Sequence, residues 1–155
     1  MQKHSPQNRI WVFTLASAMS LIAADAAAVL IVSEPWVRVA PKTRSAEGYV
    51  QLRSTEGATL VAVRTDAASK IEIREAGSTR ASIDGIKLPA GETVTLAPGA
   101  HRLMLANLHR RPKLGDRIEI VLIFMSADGE RQDVRVKAEV RERSPTDDHL
   151  QGHRH

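Results

Sequence analysis

The sequence predicts an all-β domain, a β-sandwich or Greek-key β-barrel. Three observations carry that expectation. Short stretches alternate apolar and polar residues, clearest where Val134, Val136, Ala138 and Val140 oppose Arg135, Lys137, Glu139 and Arg141. Turn signals, among them "LPAG", "APG", "LGD" and "ADG", recur about every ten residues. Helical periodicity is nearly absent, and only "RTDAASK" (64–70) hints at a helical turn.

The strands follow in order. "VLIVSEPWVRVA" (29–40) gives two pieces around Pro35, because proline removes a ladder donor. "GYVQLRS" (48–54), "TLVAVRT" (59–65) and "KIEIRE" (70–75) alternate. "ETVTL" (92–96) and "HRLMLAN" (101–107) flank the Pro-Gly turn and read as a short hairpin. "RIEIVLIFM" (117–125) is mostly apolar and reads as a central strand. The turn at 127–129 leads into "RQDVRVKAEVRE" (131–142).

Both ends fall outside this pattern. Met1 to Arg9 carries Lys3 and Arg9, Ile10 to Ala24 is apolar and uncharged, and "ADAAA" follows. A basic start, an apolar run and a small-residue site together make a secretory signal, cleaved after Ala26 or Ala28. The apolar run is shorter than the roughly 20 residues of a spanning helix. We therefore expect residues 1–28 as signal peptide, 29–143 as the β domain, and export to the periplasm with no stable membrane insertion after cleavage. The segment "SPTDDHLQGHRH" (144–155) is polar and aperiodic, and is expected to be disordered. It holds His149, His153 and His155, half of the six histidines. With Asp147 and Asp148 they form a tract able to hold a metal loosely.

Composition excludes several classes. Residues 29–155 carry 20 basic and 17 acidic side chains, net +3, spread along the chain. Aromatics make up 3% of the sequence, too few for base-stacking platforms, so nucleic acid is not an expected partner. The sequence has no cysteine, which rules out disulfides and thiolate metal ligands within it. Soft metal ligands must then be Met and His. The sequence offers no nucleophile elbow, no H-E-x-x-H and no phosphate loop, so an enzyme is not expected.

Two of those soft ligands stand together in "LAPGAHRLML" (96–105), His101 and Met104. On a regular strand His101 and Leu103 share one face, and Met104 points the other way, into the core. A bulge would instead bring His101 and Met104 together. His101 also has a simpler role open to it, as a loop hydrogen-bonding group.

Taken in order, "SEPWVRVAP", "GYVQL", "KIEIRE", "LPAGETVTLAPGAHRLML", "RRPKLGDRIEIVLIF" and "DVRVKAEV" resemble the periplasmic copper chaperones of the PCu(A)C family. That resemblance implies a cupredoxin-like β-barrel. It implies a Cu(I) cofactor or cargo held by H-x10-M-x21-H-x-M, and delivery to an acceptor such as cytochrome oxidase. Carried over by position, the first His becomes Arg74, the first Met becomes Arg80, the second His is His101, and the last Met becomes Leu103. Guanidinium stays protonated and does not ligate copper. The motif is thus degenerate. The resemblance leaves a copper-chaperone-family protein with most ligands replaced, or a metal-free interaction or anion-binding module on the same scaffold.

Overall fold

Nine strands and no helix form among the residues that the computed structural model describes, 28–77 and 82–144. They are β1 (Leu30–Val39), β2 (Ser45–Ser54), β3 (Ala58–Arg64), β4 (Ala68–Arg74), β5 (Ile86–Leu88), β6 (Thr93–Leu96), β7 (Arg102–Leu108), β8 (Arg117–Ser126) and β9 (Arg131–Val140). Residues 1–27 of the expected signal peptide, Arg80, and His149, His153 and His155 lie outside the described residues. The strands make one curled sheet in the order β4-β7-β2-β1-β9-β8-β3-β5, with β6 on β2. Every pair is antiparallel except β1 with β9.

Curling gives the sheet an inner face. Leu52, Leu60, Leu103, Leu105, Leu122 and Phe124 are fully buried there, joined by Val37, Val50, Ile118 and Ile120. Each such side chain is worth roughly 1.5–3 kcal/mol on burial. Gly48 is on this face because Leu103 leaves it no room: an added Cβ would lie 3.2 Å from Leu103 Cβ. Gly85 is tighter still, with Leu60 O at 2.8 Å.

Three local features differ from the sequence reading. The 64–70 stretch forms no helix, and Ala68 already begins β4. The "IKL" stretch adds a three-residue strand, β5, beside β3. The expected 92–107 hairpin does not form. β6 and β7 instead lie end to end along one edge of β2, with Val50 opposite Leu96 and Gly48 opposite Leu103. Residues 97–101 are a loop that interrupts a single long strand. It is closed at its base by Ala97 N donating to His101 O (3.1 Å) and tightened by Ala100 N donating to Ala97 O (2.9 Å). The Pro-Gly turn here does not reverse the chain, because β2 supplies the ladder for both halves.

Candidate functional site

The loop 97–101 stands opposite Tyr49, the one β2 residue between the two ladders. Tyr49 belongs to the outer face of the sheet, yet it is only 2% exposed. Its ring lies 4.5 Å from that of Trp36, which register places across from it on β1. Arg38 stacks over the Tyr49 ring at 5.6 Å.

Around this aromatic pair the outer face carries an ordered set of charges. Register runs Arg38, Glu47, Met104 and Glu72 in one row across β1, β2, β7 and β4. Arg102 opposite Arg74 forms the row on one side of it, and Ala106 opposite Lys70 the row on the other. Glu47 Oε2 accepts from Arg38 Nη2 (2.7 Å) and from the Tyr49 hydroxyl (2.5 Å). Its Oε1 lies 3.2 Å from Arg102 Nε. Glu72 pairs with Lys70 at 2.6 Å and with Arg74 at 2.7 Å. Strand pleating dictates this: residues two apart share a face, so "K-x-E-x-R" on β4 and "E-x-Y" on β2 line up as built.

The electrostatics follow. Burial alone would raise the Glu47 carboxyl, but the Tyr49 and Arg38 hydrogen bonds and the Arg38 and Arg102 charges outweigh it and hold it low. Burial, then the Glu47 hydrogen bond and charge, push the Tyr49 phenol up. Tyr49 therefore stays a donor to Glu47. On Glu72 the Lys70 hydrogen bond leads in lowering the carboxyl, with Arg74 adding to it.

Among the described residues, the positions singled out in the sequence do not converge. Leu103 is in the inner core at 2% exposure, beside Ile73. Arg74 is on the other face, paired with Glu72. Met104 is not core filler: it is half-buried on the outer face between Glu47 and Glu72, since Leu103 and Leu105 take the inward positions of β7. No bulge between residues 102 and 106 carries it toward His101.

His101 closes the loop, and its ring acts as a hydrogen-bond acceptor. Ala76 N, just past β4, donates to His101 Nδ1 at 3.2 Å. A neutral imidazole accepting at one nitrogen carries its proton on the other. Copper at Nδ1 would displace the amide, and copper at Nε2 would displace a proton. His109, by contrast, pins the far end of β7 through Nδ1 to Asp66 O at 3.0 Å. Among the described residues, no group of three or more His, Asp or Glu gathers as a metal cage. Sequence reading missed the Trp36–Arg38–Glu47–Tyr49 cluster. Its only sequence signal is polar and aromatic residues at i and i+2 on two strands whose register was unknown.

Comparison with known proteins places this geometry. The apo PCuAC domain from PmoF1 superposes with a TM-score of 0.64 at 24% identity, covering 74% of this chain and 94% of that one. The copper-bound PCuAC domain from PmoF2 gives 0.61 at 21% identity, covering 74% and 93%. At these identities the likeness shows the fold, which is that of PCuAC domains. Lxx21020 of Leifsonia xyli subsp. xyli (strain CTCB07), described as a lipoprotein, is 31% identical over 112 residues. That match takes in 68% of this chain and 66% of the relative, so the chain spans just under two thirds of it. The profile described as LpqE-like lipoprotein matches residues 30–140, and the chain belongs to the LpqE-like family.

Proposed function

We propose that the protein is an exported, non-enzymatic binding protein on the copper-chaperone fold, whose outer face carries an ion-paired arginine cluster that takes in one of the copper-ligand positions, Arg74. The observation that carries this is the lattice of Arg38, Lys70, Arg74 and Arg102 around Glu47 and Glu72. Arg74 stands where the resemblance expects the first copper-binding His. Within this cluster four cations stand against two carboxylates. A partner's carboxylates or phosphates would bind by exchanging for the internal ones, since guanidinium offers planar two-point contacts to either. The mechanism is reversible docking without turnover. Export is supported by the basic-then-apolar start of the sequence and by the relative described as a lipoprotein.

A second reading keeps copper, and His101 favours it. This is the one family ligand retained by position, and a structural neighbour is a copper-bound domain. On that reading His101 takes Cu(I) after releasing Ala76. Met104 or the C-terminal His149, His153 and His155 help, and an acceptor such as cytochrome oxidase receives the metal.

One experiment separates the two. Cu(I) competition against a coloured chelator is run anaerobically on the mature protein, on a form with His149, His153 and His155 changed to Ala, and on each with His101→Ala. Our reading expects no competition from the tail-substituted form and no effect of His101→Ala. Competition by that form, abolished by His101→Ala, would establish a copper site in the barrel and overturn it.

A further inference from the structure

β1 and β9 are each ten residues long and run parallel, yet they pair only at Trp36 with Glu139 and Val37 with Val140. The cause lies in β1. Pro35 has no N–H to give, and Glu34 is held at φ 49°, which turns the strand. Before that break β1 follows β2 alone, Leu30–Ser33 pairing with Ser54–Gln51. Its other edge over Leu30–Ser33, and the β9 edge over Arg131–Ala138, have no ladder partner among the described residues. The sheet is therefore split by a seam with an open strand edge on both sides.

The seam has a floor and a rim. Leu30 and Val32 from β1 and Val134 and Val136 from β9 pack on the core from here and stay partly exposed. At the end where β1 and β9 begin, a cleft of about 770 Å³ lies between Leu30, Phe124 and Gln132. Glu56, Asp128 and Glu130 line that mouth against a single cation, Arg131.

We propose that this seam is a β-strand acceptor for an extended segment of a partner protein. The segment carries apolar side chains at alternate positions and basic residues at the end that meets Glu56, Asp128 and Glu130. Since β1 and β9 are parallel, one inserted strand running opposite to both makes two antiparallel ladders, the better-aligned kind. Main-chain hydrogen bonds would supply affinity, and alternate side chains reaching Val32 and Val136 would supply selection. Each edge offers one row of main-chain groups, so a single extended strand is the occupant that serves both. A second folded copy presents an edge already attached to its own sheet and would serve only one of them.

The test uses the full mature chain and a fluorophore-labelled, amidated peptide TVTVTVKK, read by anisotropy. The control is the same peptide N-methylated at every second residue, which keeps its side chains and charge but removes ladder donors. We expect the control to bind at least tenfold more weakly. Val136→Lys, which puts a charge in the floor, should weaken binding tenfold or more. Asp128→Lys with Glu130→Lys, both in an exposed turn and harmless to the core, should weaken TVTVTVKK fivefold and strengthen TVTVTVEE. Equal binding of the methylated peptide, or indifference to both variants, would overturn the proposal. So would either of two other occupants. One is self-association abolished by Val136→Lys, which means a second copy. The other is markedly tighter peptide binding once residues 145–155 are deleted, which means the chain's own tail.

Discussion

Glu47→Gln isolates the charge at the centre of the outer face. Oε2 of Glu47 takes Arg38 and the Tyr49 hydroxyl, while Oε1 faces Arg102 Nε at 3.2 Å. Glutamine offers one acceptor oxygen. If that oxygen stays with Tyr49, an amide N–H₂ is left pointing at a guanidinium donor. The Arg102 side chain is only 11% exposed, so water makes up little of the lost counter-charge. Arg38 is 42% exposed and its loss counts for little. Arg102 and Glu47 form an ion pair, and leaving a poorly hydrated charge short of its counter-ion costs about 1.5–3 kcal/mol. Near the lower end, with a small addition for Arg38, the variant should lose about 2 kcal/mol. That corresponds to roughly 8 °C in Tm for a domain of this size. Urea unfolding with an unchanged m-value measures it. The pH dependence gives a second reading. The folded carboxyl is held below its ordinary value of 4.5, so its contribution is complete above the unfolded value. It disappears as pH falls from about 4.5 through the depressed folded value. The gap between wild type and Glu47→Gln should thus be flat from pH 6 to 8 and close in acid. A loss below about 0.5 kcal/mol at pH 7, or a gap that widens in acid, would refute the reasoning.

Other outcomes follow from close contacts and turns. Gly85→Ala drives a Cβ to 2.8 Å from the Leu60 carbonyl, backbone that cannot swing aside, and should cost about 2–3 kcal/mol by thermal unfolding. Gly48→Ala meets the Leu103 side chain at 3.2 Å and should cost less, about 1–2 kcal/mol; the reverse order would show that β7 is the stiffer neighbour. Lys42 is exposed at φ 63° in the β1–β2 turn, so Lys42→Gly should be neutral or gain up to about 1 kcal/mol. His101→Ala leaves the Ala76 amide without its acceptor and should cost about 1 kcal/mol, seen as faster hydrogen exchange at Ala76.

The strands were legible because period-two alternation survives any register: Val134, Val136, Ala138 and Val140 do face inward together. What failed was the inference from turn chemistry to topology. "APG" before His101 has the residues of a reversing turn, but whether a chain reverses depends on which strand offers a ladder afterwards. β2 offers its edge to both β6 and β7, a long-range fact with no local signature. Met104 went astray for a related reason. Alternation put Leu103 and Met104 on opposite faces, which is correct, but not which face was inside. Leu103, Leu105 and Leu108 decide that together, with Asn107 at φ 55° resetting the alternation before Leu108. The ion-paired face was out of reach altogether, since Glu47 meets Arg102 only through the β2–β7 register.

That register also explains why substituted ligands and an ordered charge face occur together. A copper site needs soft ligands converging on one point. Pairing Arg74 with Arg102 and Ile73 with Leu103 divides the motif positions between two faces. Leu103 is committed to the core, where Gly48 has no side chain to accommodate it. On the outer face, three arginines and a lysine would repel one another unless carboxylates were interleaved. Glu47 and Glu72 occupy the two β2 and β4 positions that flank Met104, each within reach of two cations. Removing either glutamate takes one counter-charge from two cations, whereas removing Met104 alters no charge. The charged residues thus form one cooperative unit. On the proposed function, the ligand that suits it is a group able to take over a glutamate's place, a carboxylate or a phosphate.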